Sequence, residues 1–472
     1  MNPTLSKLNC DILVAGGGPA GVSCALAAAR CGAKTILCQD RPVLGGNASS
    51  EVRMHIVGAN GMSEGIPLKC EAREGGIVEE IRLNQCVNNP QRSASMMDLG
   101  LYDLCRREPN LTVMLNTTVS DTTVVDKQIQ SVQADRPSTH DQFEISAATF
   151  VDCTGDGALG CAAGADYSMG REGQTEFSEK LAPLEPDNKT LGSTLLFQAR
   201  RHSSPMAFTP PTWARKFSAE DLKHRPYGQP GMDLNLEYGF WWLEWGGELD
   251  TIKDNETIRD ELLAALMGVW DFIKNEADLD AENWALEWCG FVPGKRESRR
   301  FQGQYRLHEG DLLNSTVFPD SIATGGWPID THPPGGIDAI DEAPCQQSPL
   351  PYLYDIPLSC CIARDFDNLL FAGRNISATH IAFASTRVMA TCSAIGQGVG
   401  TAAAYSILEN IRPATLPKNE RAMTHIQQQL LRDDVLLLGC HNEDRRDLAR
   451  TATITASSEQ SNGPADSVTD GW

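Results

Sequence analysis

Positive charge is in deficit: 40 Lys and Arg stand against 62 Asp and Glu, for a formal net charge of −22. Nucleic-acid backbones are bound by clustered Lys and Arg, so a nucleic-acid partner is excluded. No run of roughly 18 apolar residues exists, and a helix needs about that many to cross a bilayer, so no membrane partner is expected. Met1 to Asn9 lack a basic stretch followed by an apolar one. The sequence as given therefore reads as cytoplasmic, or as exported if a leader was removed. The 15 cysteines form no CxxC pair and no Cys/His cluster at zinc spacing. Neither a dithiol centre nor a metal is expected, and the thiols read as reduced and buried. The adjacent Cys360 and Cys361 are a poor disulfide pair.

What is present is an ordinary globular composition, 41% hydrophobic and 22% charged, in a chain long enough for roughly two or three domains. Asp11–Ala15 is a short apolar run, Gly21–Gly32 an Ala-rich helix and Thr35–Cys38 a second strand. That order opens a βαβ unit. Leu99–Arg107 has helical periodicity. Short β-type segments follow at Leu111–Leu115, Val119–Asp126, Gln128–Ala134, Phe143–Ser146 and Thr149–Cys153. They predict a parallel sheet that continues, with an antiparallel meander inserted in it. The stretch 166–354 is rich in Pro, Trp and Gly, with an amphipathic segment at Glu256–Lys274, and reads as an inserted α+β substrate or cap domain. The α/β character returns with the apolar Asn368–Ala372 and the Ala/Gly helix Ala394–Leu408. The expected division is a cofactor domain in two parts, 1–165 and 355–412, around 166–354, then a helical segment 413–450 with a helix at Lys418–Leu438. Residues 451–472 read as the opening strands of a further β domain.

Gly16-Gly17-Gly18-Pro19-Ala20-Gly21 fits GxGxxG, follows an apolar strand and opens a helix. That context makes it a dinucleotide loop. Gly16 permits the tight turn, Gly18 lets backbone approach a pyrophosphate, and Gly21 allows close helix–strand packing. An acid at the end of the second strand usually binds ribose, but here the chain reads Gln39-Asp40-Arg41. Gln39 falls where Glu is usual and its amide can still bond ribose; Asp40 is the alternative. Gly45-Gly46-Asn47-Ala48-Ser49 follows and can pass close to pyrophosphate and ribityl groups, although a polar turn without a ligand would look alike. Thr154-Gly155-Asp156-Gly157 ends a later strand. It reads as a loop closing on the same cofactor, because Asp156 would repel phosphate and no βαβ unit follows. Val119 joins the cofactor set. Gly373-Arg374 ends another strand, and Arg374 can pair with pyrophosphate; alone, it reads equally as a structural ion pair. Gln397-Gly398 lie in the helix beyond.

The stretches DILVAGGGPAG, QDRPVLGGNASSEVRMH, FVDCTGDG and NLLFAGRNISATHIAFASTRVMATCSAIGQGVGTAAA together resemble the FAD-dependent oxidoreductases related to glutathione reductase and fumarate reductase. The resemblance covers most of 10–410. It implies FAD as cofactor, with Gly16, Gly18, Gly21 and the end of the second strand at the ADP half. It places Gly45, Gly46, Asn47, Asp156, Arg374 and Gln397 nearer the pyrophosphate and ring. The stretches WWLEWGGELD, GKRESRR and GGWPIDTH look like a subgroup whose substrates are largely unassigned. The tail from Ala449 resembles the start of a discoidin-like β-sandwich.

With FAD carrying the redox chemistry, the protein must orient substrate and move protons. His380, six residues after Arg374, is a candidate acid/base, and Arg387 a candidate to bind a substrate carboxylate or hydroxyl. Their spacing resembles that of fumarate reductase relatives. His332, two residues after Asp330, is a second candidate. Arg299, in the basic run Lys295 to Arg300, is a candidate contact to an anionic substrate group. His55 resembles the site of covalent flavin attachment in some relatives. Trp241, Trp242 and Trp245 read as sugar-lining or as core. The expectation is hydride transfer between flavin and a small molecule, a sugar or an organic acid. Oxygen, a quinone or a carrier protein would close the cycle, and a homo-oligomer is compatible. The rival is a flavin-binding relay or sensor without a substrate of its own.

Overall fold

The computed structural model describes residues 5–60, 62–63, 66–67, 73–228, 236–459 and 464–469. Its centre is a five-stranded parallel sheet of β1 (Ile12–Ala15), β2 (Thr35–Cys38), β3 (Leu111–Met114), β4 (Thr149–Asp152) and β5 (Leu369–Phe371), in the order β5-β4-β1-β2-β3. Four of these strands are buried along their whole length. That is why they read as continuous apolar runs rather than alternating ones. The last strand arrives more than two hundred residues after the fourth, so the sheet is assembled from two separate parts of the sequence.

Helix α1 (Pro19–Arg30) follows β1 and is almost entirely buried. Its partner is α3 (Met389–Leu408), which follows the short α2 (His380–Thr386). The two helices meet backbone to backbone. A Cβ on Gly396 would lie 2.0 Å from the Ala20 carbonyl oxygen, and one on Gly400 would lie 2.2 Å from that of Cys24. The Ala/Gly composition of both helices is what allows this approach, and Ser23 Oγ and Ser393 Oγ lie 2.5 Å apart across it.

The expected meander is present as Thr118–Val125, Gln128–Arg136 and Asp141–Ser146, paired antiparallel in turn. The strand Leu5–Asn9, which no apolar run or turn signal marks in the sequence, adds to it in parallel beside Asp141–Ser146. Its half-exposed edge position leaves only a weak apolar pattern. The helix expected at Lys418–Leu438 stops at Arg432, where Asp434 takes a positive φ and breaks the turn.

The inserted region has a core of its own, built from Leu195, Phe197, Trp242, Leu262, Trp270 and their neighbours around the helix Asn255–Asp271. Phe301, Leu307, Ile322 and Ile329 instead pack into the main core. Three two-residue strands, Ser193–Thr194, Glu244–Trp245 and Gly294–Lys295, form a small antiparallel sheet where the two cores meet. The Lys295 carbonyl accepts from Asn47 Nδ2 at 3.0 Å, which ties this sheet to the loop after Gly46. No described helix is long and apolar enough to cross a membrane. The described part of 451–472 is exposed chain with short 3-10 turns.

Candidate active site

A cavity of about 620 Å³ runs from the C-terminal ends of the parallel strands to the small sheet of the inserted region. That is the volume range of cofactor sites, and the strand ends are where open α/β sheets bind ligands. Of the residues expected to hold a cofactor, Gly16, Gly18, Pro19, Ala20, Gln39, Asp40, Arg41, Gly46, Asn47, Val119, Thr154, Gly155, Asp156, Gly373 and Arg374 line it.

Gly18 is the N-cap of α1 and makes no side-chain cap, with Pro19 in the first turn. The N–H groups of that turn are therefore free for an anion. A Cβ on Gly18 would meet nothing nearer than Gly46 Cα at 3.9 Å, so this backbone faces open space. Gly21 serves packing instead. A Cβ there would lie 1.7 Å from the Gly16 oxygen, so only glycine permits the close approach, and the wall is left to other residues. The Gly45 N–H donates to the Gly17 carbonyl at 2.8 Å and ties the two glycine loops together. Gln39 is committed locally, accepting from Gly17 N–H at 2.6 Å and donating to the Val43 carbonyl at 3.2 Å. Arg41 is engaged by Glu51 at 3.0 Å. Asp40 is left as the exposed carboxylate at this end.

Asp156 does not stand as an unmatched negative charge. Lys295 Nζ lies 2.6 Å from its Oδ2, Arg374 Nη2 lies 3.4 Å from its Oδ1, and Ser298 donates at 2.9 Å. Burial alone would raise its carboxyl, but Arg374 and Lys295 outweigh that and hold it below its ordinary value. Two cations against one carboxylate leave a net positive charge beside the uncapped helix terminus. This arrangement, with the open Gly18 face, fits the pyrophosphate of a flavin dinucleotide. Beneath it the fully buried Asp152 accepts from Thr154 N–H, Thr154 Oγ1 and Gly160 N–H at 2.8–2.9 Å, which fixes the Thr154–Gly157 loop.

A second group of lining residues surrounds His332. The strand Ile329–Thr331 delivers Asp330 and His332, the start of α3 follows Arg387, and Trp241 and Trp327 flank them. His332 Nδ1 lies 2.6 Å from Glu244 Oε2. A carboxylate only accepts, so a proton sits on Nδ1; Nε2, which also lies 3.3 Å from Asp330 Oδ2, offers its lone pair to Arg387 in the neutral ring and donates to Asp330 in the protonated one. Arg387 Nη2 reaches that Nε2 at 3.0 Å and Asp330 Oδ2 at 3.0 Å. Arg296 pairs with Glu244 at 3.2 Å and donates to the Trp241 carbonyl at 2.7 Å. Burial opposes ionisation of Glu244, yet Arg296 and His332 outweigh it and keep the carboxyl below its ordinary value. Among the described residues Glu244 Oε1, Asp330 Oδ1 and Arg387 Nε are buried without a partner. Each such atom costs about 1–3 kcal/mol if it stays dry, and three of them gather around one histidine.

Of the other expected residues, all but His55 lie off the cavity. His380 opens α2 with Nδ1 2.9 Å from Glu297, and its N–H donates to Glu172 at 2.8 Å inside a buried ion network with Arg300. Arg299 stacks 5.1 Å over Tyr167 and donates to the Asp156 carbonyl at 3.2 Å, supporting the loop from behind. Gln397 accepts from Ile77 N–H at 2.7 Å, and a Cβ on Gly398 would meet the Ile322 oxygen at 2.5 Å. Ser49 is buried. His55 lines the cavity. Trp242 is core, stacked on Phe240 at 4.8 Å, and Trp245 donates to Asp338 at 2.7 Å. Glu244 escaped the sequence reading; an acid inside the apolar, Trp-rich run WWLEW was its only signal.

A family model described as FAD dependent oxidoreductase matches residues 11–430. No curated protein matches the chain. Solved structures similar to it include a geranylgeranyl bacteriochlorophyll reductase-like protein from Thermoplasma acidophilum, at 13% identity and TM-score 0.40 over 91% of this chain and 85% of that one. The quinol fumarate reductase of E. coli matches at 14% identity and TM-score 0.34, over 91% and 75% of the respective chains. The p-nitrophenol 4-monooxygenase of Pseudomonas putida matches at 11% identity and TM-score 0.37, over 91% and 92%.

Proposed function

The chain belongs to the FAD dependent oxidoreductase family, and from that premise we propose that it oxidises or reduces a small organic molecule, a sugar or an organic acid, with His332 moving the proton. The observation that carries this reading is the His332–Arg387 pair in the wall of the cavity that also holds the glycine loop, with Glu244 bonded to His332 from behind. Bound FAD supplies a two-electron centre that exchanges a hydride with a substrate carbon.

The protein's own residues do the rest. Gly16, Gly18, Ala20, Lys295 and Arg374 would hold the pyrophosphate, and Asp40 would accept from ribose. Glu244 fixes the His332 tautomer so that Nε2 faces Arg387 and the cavity. In oxidation, Nε2 takes the proton of a substrate hydroxyl; in reduction it returns one to a carbonyl oxygen. Arg387 holds that oxygen in place. His380 and Arg299 serve from behind, His380 by locking α2 to the inserted region through Glu297. The cofactor body in two parts, 1–165 and 355–412, around an inserted 166–354 belongs to the same proposal. So does turnover through oxygen, a quinone or a carrier protein.

The test is a visible spectrum of the purified protein before and after acid precipitation, followed by anaerobic bleaching with substrate. Flavin in the supernatant and a 10²–10⁴-fold slower bleaching in His332→Ala, with flavin content unchanged, are expected. Flavin that stays with the pellet would shift attention to His55. Unaltered bleaching in His332→Ala would remove that residue from the chemistry.

A further inference from the structure

We infer that the cluster around His332 selects an uncharged, polyhydroxylated substrate and rejects carboxylates; this rests on the reading of that cluster as the substrate end of the cavity. The argument is one of charge. Glu244 and Asp330 bring two negative charges, and Arg296 and Arg387 bring two positive ones. Each cation is already matched, Arg296 to Glu244 at 3.2 Å and Arg387 to Asp330 at 3.0 Å. All four side chains are nearly or wholly removed from solvent. A carboxylate entering here would have no cation of its own. It would have to displace Asp330 from Arg387 and would then sit beside two buried anions, in surroundings where like charges are screened weakly.

A hydroxyl enters without breaking an ion pair: it replaces only the hydrogen bond from Arg387 Nη2 to His332 Nε2, 3.0 Å long. Among the described residues Arg387 makes its hydrogen bonds through Nη2 alone, so Nη1 remains to donate to a substrate oxygen. His332 Nε2, held by Glu244 from the other side of the ring, accepts the hydroxyl proton. Gln347, also on this wall, offers both a donor and an acceptor. Trp241 stands edge-on to His332 at 5.7 Å and is only partly covered, and Trp327 donates to Asp330 at 3.4 Å. Both line the cavity. Hydrogen-bonding groups whose charges cancel, set between tryptophans, suit a ring with one apolar C–H face and several hydroxyls, the shape of a pyranose or a cyclitol.

The experiment uses the FAD-loaded protein and two panels of probes. One holds aldopyranoses, methyl pyranosides and inositols; the other holds lactate, malate, succinate and malonate. Bleaching under anaerobic conditions and perturbation of the flavin spectrum are both read. At least one neutral polyol is expected to bleach the flavin a hundredfold faster than any hydroxy acid. Malonate and succinate should perturb the spectrum only at concentrations at least tenfold above those of the polyol. In Asp330→Asn, Arg387 loses its counter-charge, and malonate should bind at least tenfold more tightly than to the unsubstituted protein. A hydroxy acid that bleaches faster than every polyol, or malonate binding that Asp330→Asn leaves unchanged, overturns the assignment; so does a polyol panel that neither bleaches nor perturbs the spectrum. If Asp330→Asn does not fold, the two panels on the unsubstituted protein still decide. His332→Ala separates the two levels: acids that bleach only when His332 is present refute the substrate class alone, and bleaching that ignores His332 refutes the reading beneath it.

Discussion

Replacing Gly18 by Ala should separate cofactor binding from folding. Gly18 has φ −68° and ψ −178°, an extended conformation open to any L residue. The added methyl meets only Gly46 Cα, at 3.9 Å, an ordinary contact. In the cofactor-free protein the change should therefore cost nothing. A Gly-to-Ala change at a permissive site stabilises by about 0.4–1 kcal/mol, because the unfolded chain has fewer states to lose. With FAD the methyl occupies the space through which backbone reaches the pyrophosphate. Loss of one hydrogen bond to a charged group removes about 1.5–3 kcal/mol, or roughly 10–100-fold in affinity. Urea unfolding of the cofactor-free protein and a flavin-fluorescence titration read the two effects separately. Gly21→Ala is the control: its Cβ would lie 1.7 Å from a backbone oxygen, so it should destabilise the cofactor-free protein by about 3 kcal/mol or more. A Gly18→Ala protein that binds FAD as well as the unsubstituted one would refute the placement of the pyrophosphate at this turn.

Lys295→Met removes one of the two cations beside Asp156 and should weaken FAD about tenfold, by the same titration; an unchanged affinity would mean the pair serves only the loop. Glu244→Gln leaves Arg296 buried without a counter-charge and should cost about 3–5 kcal/mol in urea unfolding, whereas a cost below about 1 kcal/mol would show that Arg296 finds another partner. Asp355, buried beneath the Leu438 and Phe318 N–H groups, has its carboxyl raised from 3.8 to about 7, chiefly by burial. The folded chain thus holds a proton that the unfolded chain releases above about pH 4. This contribution is fully present below about pH 4 and is lost as pH rises toward 7, up to about 4 kcal/mol in all. Unfolding of Asp355→Asn across that range should show a correspondingly flatter dependence, and parallel curves for the two proteins would sink the idea.

How legible each part was depends on how local its cause is. The glycine loop announces itself because strand, turn and helix start fall within about ten consecutive residues, and Gly16 and Gly21 answer backbone demands that only glycine meets. The buried strands were legible as apolar runs, and the edge strand Leu5–Asn9 was not, since half of it faces water. The Glu244–His332–Arg387 cluster comes from separations of 88 and 55 residues. Taken singly, each of its members looks like a packing or ion-pair residue, and only the fold sets them within hydrogen-bond reach. Glycines such as Gly398 serve a ligand or a neighbouring element equally well on paper. Which of these it faces, here the Ile322 backbone, is settled by tertiary structure alone.

The backbone-tight seam between α1 and α3 also imposes a timetable on synthesis. Ser23 and Ser393 meet across it from 370 residues apart. At a ribosomal rate of about 5–20 residues per second, the first helix waits roughly 20–70 s for its partner. Until then its alanine face, and the side of β4 that β5 will cover, have no native cover. In that interval this apolar surface is open to non-native contacts. Synonymous changes that slow translation between the two segments would lower the yield of folded protein without altering a single residue.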